Sequence, residues 1–158
     1  MEVDKPIYPI PEAVAIHMGK PGSDDPARMT AHYRGGDAQR AVHFLSAREV
    51  RIDARVATRA DRYPIPMTLQ LELRREDILN NTTLGDEPVS LTDVQLDGLV
   101  KSERFEIAFP KSGATLRFPH DPYNPYELKT HKSPDDKYVT LLTIPVNPDG
   151  VSLAIRIP

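Results

Sequence analysis

Residues 50–58 read VRIDARVAT, and two kinds of side chain alternate through the whole stretch. One set is Val50, Ile52, Ala54, Val56 and Thr58, and polar or small residues separate its members. A period of two places the two sets on opposite faces of a β-strand. The β-branched residues also favour strand over helix. The stretch therefore predicts a strand with one apolar face.

The arginines of this region have the spacing of a basic stripe on a helix. On the predicted strand, however, Arg51, Arg55 and Arg59 share the polar face with Asp53 and Asp61. This pattern is typical of a solvated face of mixed charge, so nucleic-acid binding through it is not expected.

The same alternation recurs along the chain. It is clear at 67–73, 105–109, 116–118, 138–146 and 151–157, and weaker at 13–18, 28–33 and 41–46. Turn-rich segments separate these strands, and the chain lacks the regular helices of 10 to 15 residues that βαβ units would need. We therefore predict an all-β protein: an antiparallel β-sandwich or jelly roll of about seven to eight strands.

Two short turns predict hairpins in the last third of the chain. In the sequence 147–150, NPDG, proline suits the second turn position and glycine accepts a positive φ. The sequence 110–113, PKSG, ends in a glycine suited to the left-handed position of a short loop. The strands on either side of each turn are expected to pair with each other.

Two segments have sequence features of a helix start, so at most one or two short helices are expected. Asp37 is a suitable N-cap for a helix through 38–49, which competes with the strand reading of 41–46. The residues Ser90 to Asp93 resemble a capping box for a short helix or turn.

Composition limits the classes of function. The 158 residues suit one domain, and 20 basic against 23 acidic residues give a net charge of -3, which makes nucleic-acid binding unlikely. No cysteine is present, which excludes disulfides and thiolate chemistry. No apolar run reaches the roughly 20 residues that span a bilayer, and the N-terminus lacks the features of a signal peptide. Synthesis in the cytoplasm, without membrane association, is the expectation.

Proline accounts for 16 residues, about twice ordinary usage, and it concentrates in two segments. Residues 1–12 are expected to form an extended arm outside a single domain of residues 13–158. Prolines at 6, 9 and 11 prevent regular sheet pairing there, and Ile7, Tyr8 and Ile10 lie between them. Large apolar residues on an extended arm gain from lying in a groove of a neighbour.

The second proline-rich segment is residues 118–138, FPHDPYNPYELKTHKSPDDKY. Its prolines lower the entropy lost when the loop makes a contact. Tyr123 and Tyr126 are the amphipathic type enriched at interfaces, and His120 lies beside them. We interpret the segment as a docking loop, against the alternative of a loop that covers one end of the sandwich.

The chemistry-bearing residues form no recognisable catalytic or metal motif. Nucleophile elbows and phosphate-binding glycine loops are missing, so no catalytic residue, cofactor or metal ligand is predicted. The expected function is that of a non-enzymatic structural subunit in an oligomer or larger protein assembly, namely a capsid, decoration or tail component of a virus or phage particle.

Two alternatives remain open. One is a carbohydrate- or ligand-binding module that uses His120, Asp121, Tyr123 and Tyr126. The other is a small metal-dependent jelly-roll enzyme with ligands drawn from the five histidines. Those histidines are His17, His32, His43, His120 and His131. A histidine in an apolar segment, such as His17 or His43, is more often hydrogen-bonded in or near a core.

Overall fold

The computed structural model describes residues 11–20, 22–58, 67–74, 89–92, 96–111, 113–118 and 139–158. These residues form eleven strands. The strands are β1 (Ala13–His17), β2 (Ala27–Tyr33), β3 (Gly36–Ser46), β4 (Glu49–Thr58), β5 (Thr68–Arg74), β6 (Val89–Thr92), β7 (Leu99–Lys101), β8 (Glu106–Ala108), β9 (Thr115–Phe118), β10 (Val139–Pro145) and β11 (Val151–Arg156).

The strands build two antiparallel sheets of unequal width. Seven strands form the larger sheet in the order β1-β2-β3-β4-β11-β8-β7, and four form the smaller one in the order β5-β10-β9-β6. The predicted all-β antiparallel sandwich is confirmed, but the described residues form eleven strands and not the predicted seven to eight. Whether its connections are those of a jelly roll stays a prediction.

One apolar core joins the two sheets. The small sheet contributes the fully buried Leu69, Leu142 and Ile144, and the large sheet contributes Ile107 and Leu153. All five belong to the alternating sets that the sequence indicates, since each face of a strand carries every second residue. In the large sheet the core residues come from β4, β7, β8 and β11, whereas β1, β2 and β3 contribute none.

Both predicted hairpins are wrong in their pairing. β8 pairs with β7 and β11, while β9 belongs to the small sheet. Likewise β10 lies in the small sheet and β11 in the large one. The NPDG turn itself forms, since the Gly150 amide donates to the Asn147 carbonyl at 2.9 Å and Gly150 has φ 90°. Each turn therefore carries the chain across the core. Alternation did not reveal this, because a strand buries the same alternate residues whether the next strand lies beside it in one sheet or faces it from the other sheet.

Between the two readings of the segment after Asp37, the strand is correct. β3 runs from Gly36 to Ser46 and pairs with β2 on one side and β4 on the other. The capping-box reading is also overturned for Ser90 to Thr92, which lie in β6 against β9, and residues 93–95 lie outside the described part. β6 and β7 are strands that the sequence did not indicate. They have four and three residues, too few for a clear period of two.

Replacement of Gly150 by alanine is expected to destabilise the sandwich by about 2 kcal/mol or more. Its φ of +90° is strained for an L side chain, and an added Cβ would lie 2.9 Å from the Ala54 carbonyl oxygen. Gly113→Ala is the matched control at the other crossing. Gly113 has φ +81°, yet its Cβ would meet only Pro145 Cγ at 3.6 Å, so its cost is about 1 kcal/mol. Urea denaturation measures both, and an equal loss would contradict the close approach at Ala54.

Thr140→Val is expected to raise the free energy of unfolding by about 1 kcal/mol. Thr140 is fully buried in β10, and its hydroxyl has no hydrogen-bond partner among the described residues. Valine keeps the shape and removes a polar group that was desolvated without compensation. Thr140→Ser keeps the hydroxyl and loses the methyl group, so it should destabilise. If valine proved the more damaging of the two, Thr140 would be hydrogen-bonded in solution.

Candidate functional site

The residues predicted to bind partners lie outside the described part of the chain. They are Ile7, Tyr8, Ile10, His120, Tyr123 and Tyr126. Their roles stay predictions. Among the described residues, three strands of the large sheet contribute nothing to the core between the sheets. They are β1, β2 and β3, residues 13–17, 27–33 and 36–46, and we call them the extension.

One face of the extension continues the face that forms the core. Residues that are partners across neighbouring strands share a face, and one such row runs from Ala54 through Arg40 and Met29 to Ile16. Ala54 is buried in the core, whereas Met29 and Ile16 are 43% and 69% exposed. The side chains of this row are therefore buried at β4 and become increasingly exposed toward β1.

Two further large side chains lie on this face. Val14, in β1, pairs with Ala31 and is 51% exposed, and Phe44, in β3, pairs with Val50 and is 58% exposed. We call the set of Val14, Ile16, Met29 and Phe44 the apolar extension face. Isolated exposed apolar residues are ordinary on protein surfaces, whereas several on one sheet face make a candidate binding surface. Arg40 lies on the same face, opposite Met29.

The opposite face of the large sheet is polar and joined by cross-strand contacts. Each of the three histidines in the described residues contacts a different aspartate on it or beside it. The pairs are His17–Asp25 at 2.8 Å, His32–Asp37 at 2.9 Å and His43–Asp53 at 2.8 Å. The expectation of hydrogen-bonded histidines therefore holds for His17 and His43. Their predicted place near the core is wrong, because both lie on the polar face.

His43 belongs to a network that links β3, β4 and β11. Its Nε2 lies 2.8 Å from one oxygen of Asp53, whose other oxygen accepts a 2.6 Å hydrogen bond from the Ser152 hydroxyl. Arg51 Nη2 lies at a hydrogen-bond distance of 3.3 Å from His43 Nδ1, while its Nε lies 3.3 Å from Asp53 as an ion pair without a hydrogen bond. The predicted face of mixed charge is thus confirmed at Arg51 and Asp53. Ser152 donates to the carboxylate and not to the imidazole, so His43 is not placed to activate the hydroxyl as a nucleophile.

The turn between β1 and β2 places Asp25 beside His17. The Ser23 hydroxyl donates to the Lys20 carbonyl and accepts from the Asp25 amide, while the Lys20 amide donates to the Asp25 carbonyl. His17 Nε2 then lies 2.8 Å from both carboxylate oxygens, and Arg28 Nη2 lies 3.1 Å from one. The hydrogen bond from His17 lowers the pKa of Asp25, desolvation opposes this shift, and Arg28 adds to it.

Among the described residues, no group of three or more histidine, cysteine, aspartate or glutamate side chains is arranged to hold a metal ion. His120 and His131 lie outside those residues. In the same part of the chain, no helix has the length and apolar character required to cross a membrane.

Comparison with protein-family models, with curated proteins and with solved structures finds no match to this chain.

The apolar extension face was missed by the reasoning from sequence. The strand reading of residues 13–18 was correct, but alternation alone does not tell whether a second layer covers the apolar side. The exposure of Val14 and Ile16 follows from the position of β1 at the edge of the wider sheet. That position is set by strand order, which the sequence pattern does not encode.

The carboxyl group of Asp25 is expected to titrate below its ordinary pKa, and His17→Ala should raise its midpoint. A lowered folded-state pKa stabilises the fold above the unfolded-state pKa, and this contribution is lost as the pH falls through the folded-state value. Carboxyl chemical shifts measured by NMR between pH 2 and 7, roughly the range of carboxyl titration, report it. His32→Ala removes a different pair and should leave Asp25 unchanged. An unchanged midpoint in His17→Ala would show that this hydrogen bond is not formed in solution.

Proposed function

We propose that this protein is a non-enzymatic structural subunit of a larger protein assembly, of the kind that forms a capsid, decoration or tail component of a virus or phage particle. The observation that carries the proposal is the apolar extension face. A sheet face that is core at β4 carries exposed Met29 and Ile16 at its outer strands. Such a face is a ready contact for a neighbouring subunit.

Covering this face would contribute to association without being sufficient for it. Burial of a large aliphatic or aromatic side chain stabilises by roughly 1.5–3 kcal/mol relative to full exposure, so covering the exposed half of each would yield about 1 kcal/mol per residue. Four residues of this type share the face. Their sum, about 4 kcal/mol, only reaches the low end of the roughly 4–15 kcal/mol that association costs, so a stable complex needs further contacts.

The proline-rich segments are the proposed covering elements. Ile7, Tyr8 and Ile10 on the arm, with His120, Tyr123 and Tyr126 on the loop, offer apolar and aromatic surface. Proline limits the conformations of these segments before contact, which reduces the entropy lost on docking. Exchange of such segments between subunits makes large interfaces from little protein, which supports the particle class within the proposal.

The purified full-length chain is expected to associate, and removal of the arm is expected to lower its association state. A deletion of residues 2–10 retains the 2.7 Å hydrogen bond from the Glu12 amide to the His32 carbonyl, so the sandwich should still fold. Light scattering coupled to gel filtration measures the mass, and circular dichroism checks the fold. A full-length chain that remains monomeric at every concentration would refute the proposal.

Two double substitutions test whether the arm acts through its apolar side chains or only through its length. Ile7→Ser with Ile10→Ser removes the apolar contacts and should lower the mass as the deletion does. Glu2→Ser with Asp4→Ser changes the same arm without removing apolar surface, and the mass should be unchanged. The opposite order of effects would mean that the arm acts through its charge.

A further inference from the structure

The edge strand β1 lacks the features that usually keep a sheet edge from pairing. Such edges are protected by shortness, charged side chains, proline or bulges. At the other end of the sheet, β7 has three residues and ends in Lys101, and in the small sheet β5 carries Glu72 and Arg74. In contrast, β1 is AVAIH, with a continuous register to β2 and all five residues exposed.

Two antiparallel copies of β1 would place apolar side chains opposite apolar side chains. If two copies align antiparallel with Ala15 opposite Ala15, Val14 of each copy lies opposite Ile16 of the other, and Ala13 lies opposite His17. The Val14–Ile16 pairs fall on the apolar face and the alanines on the polar face. A shift by one residue would put Val14 and Ile16 opposite residues of the polar face, and a shift by two would leave part of the five-residue strand unpaired. The register centred on Ala15 is the one that keeps the faces matched and pairs the whole strand.

We propose that two copies of this chain associate through antiparallel pairing of their β1 strands about a two-fold axis at Ala15. The inference rests on the proposed function of an assembly subunit and names one of its contacts. The occupant of the edge is a second copy because the strand brings no like charges opposite each other and because each copy supplies the same apolar pair.

The pairing also extends beyond the strand. The same register brings Glu12 of one copy beside Met18 of the other, and Pro11 beside Gly19. Met18, which is 82% exposed in the single chain, becomes a contact residue.

A cysteine scan tests the register, since the natural chain has no cysteine. In the proposed dimer the two Ala15 Cα atoms are about 4.5–5.5 Å apart, within the range that a disulfide bridges. The two Ala13 Cα atoms are separated by roughly four residue rises, about 13 Å, which no disulfide spans. Mild oxidation should convert Ala15→Cys into a covalent dimer on a non-reducing gel and leave Ala13→Cys monomeric. Equal cross-linking of both variants, or none of Ala15→Cys, would overturn the pairing.

A second pair of variants tests the apolar pairs of the edge. Ile16→Lys should raise the dissociation constant of the dimer about tenfold, because it places a charge at both Val14–Ile16 pairs. Leu45→Lys introduces the same charge at a residue of β3 that is 51% exposed and lies outside the apolar extension face, and it should leave the dissociation constant unaltered. Sedimentation equilibrium measures both. An unaltered constant in Ile16→Lys, or an equal rise in Leu45→Lys, would overturn the edge contact.

The outcomes distinguish this inference from the proposed function. If the wild-type chain associates while Ala15→Cys fails to cross-link, the assembly proposal stands and the β1 contact is refuted. If the wild-type chain is monomeric throughout, the assembly proposal itself fails and the contact fails with it.

Discussion

The structure depends on the packing of every second side chain between two sheets. Leu142 and Ile144 of the small sheet are fully buried against a core that includes Ile107 and Leu153 of the large one. No disulfide is possible in this chain, so this apolar contact is the main source of stability. The chain passes from one sheet to the other, across this core, at the turns near Gly113 and Gly150.

The unequal width of the sheets explains the rest of the surface. Seven strands face four, and the core stops at β4, so the alternation that builds the core continues through β3, β2 and β1 without contributing to it. On the polar side, by contrast, His17, His32 and His43 each have an aspartate partner. The same period of two therefore produces a polar side joined by its own pairs and an apolar side with Ile16 and Phe44 exposed.

The sequence indicated most of the strands, although not β6 and β7, and it was insufficient to tell which strands are neighbours. Residues 50–58 were assigned correctly because alternation and β-branching are local properties of the chain. The partners of β8 to β11 were predicted wrongly, because turn chemistry at Gly150 fixes the direction of the chain and not the sheet it enters. The same limit hid the edge position of β1. The binding roles of Tyr8 and Tyr123 stay predictions, since both residues lie outside the described part of the chain.

The lack of protection at β1 is informative because two other edges, β7 and β5, show the usual means of protection. β7 is short and ends in Lys101, and β5 carries Glu72 and Arg74. In contrast, β1 presents five exposed residues without lysine, arginine, carboxylate or proline, and its His17 contacts Asp25. An edge of that kind in a protein that stays single would be a risk of aggregation. In a protein that dimerises through strand pairing, such an edge would form the contact between the two copies. The prolines at 9 and 11, just before β1, are consistent with this reading, since they limit regular pairing to the strand itself and so help to define where it begins.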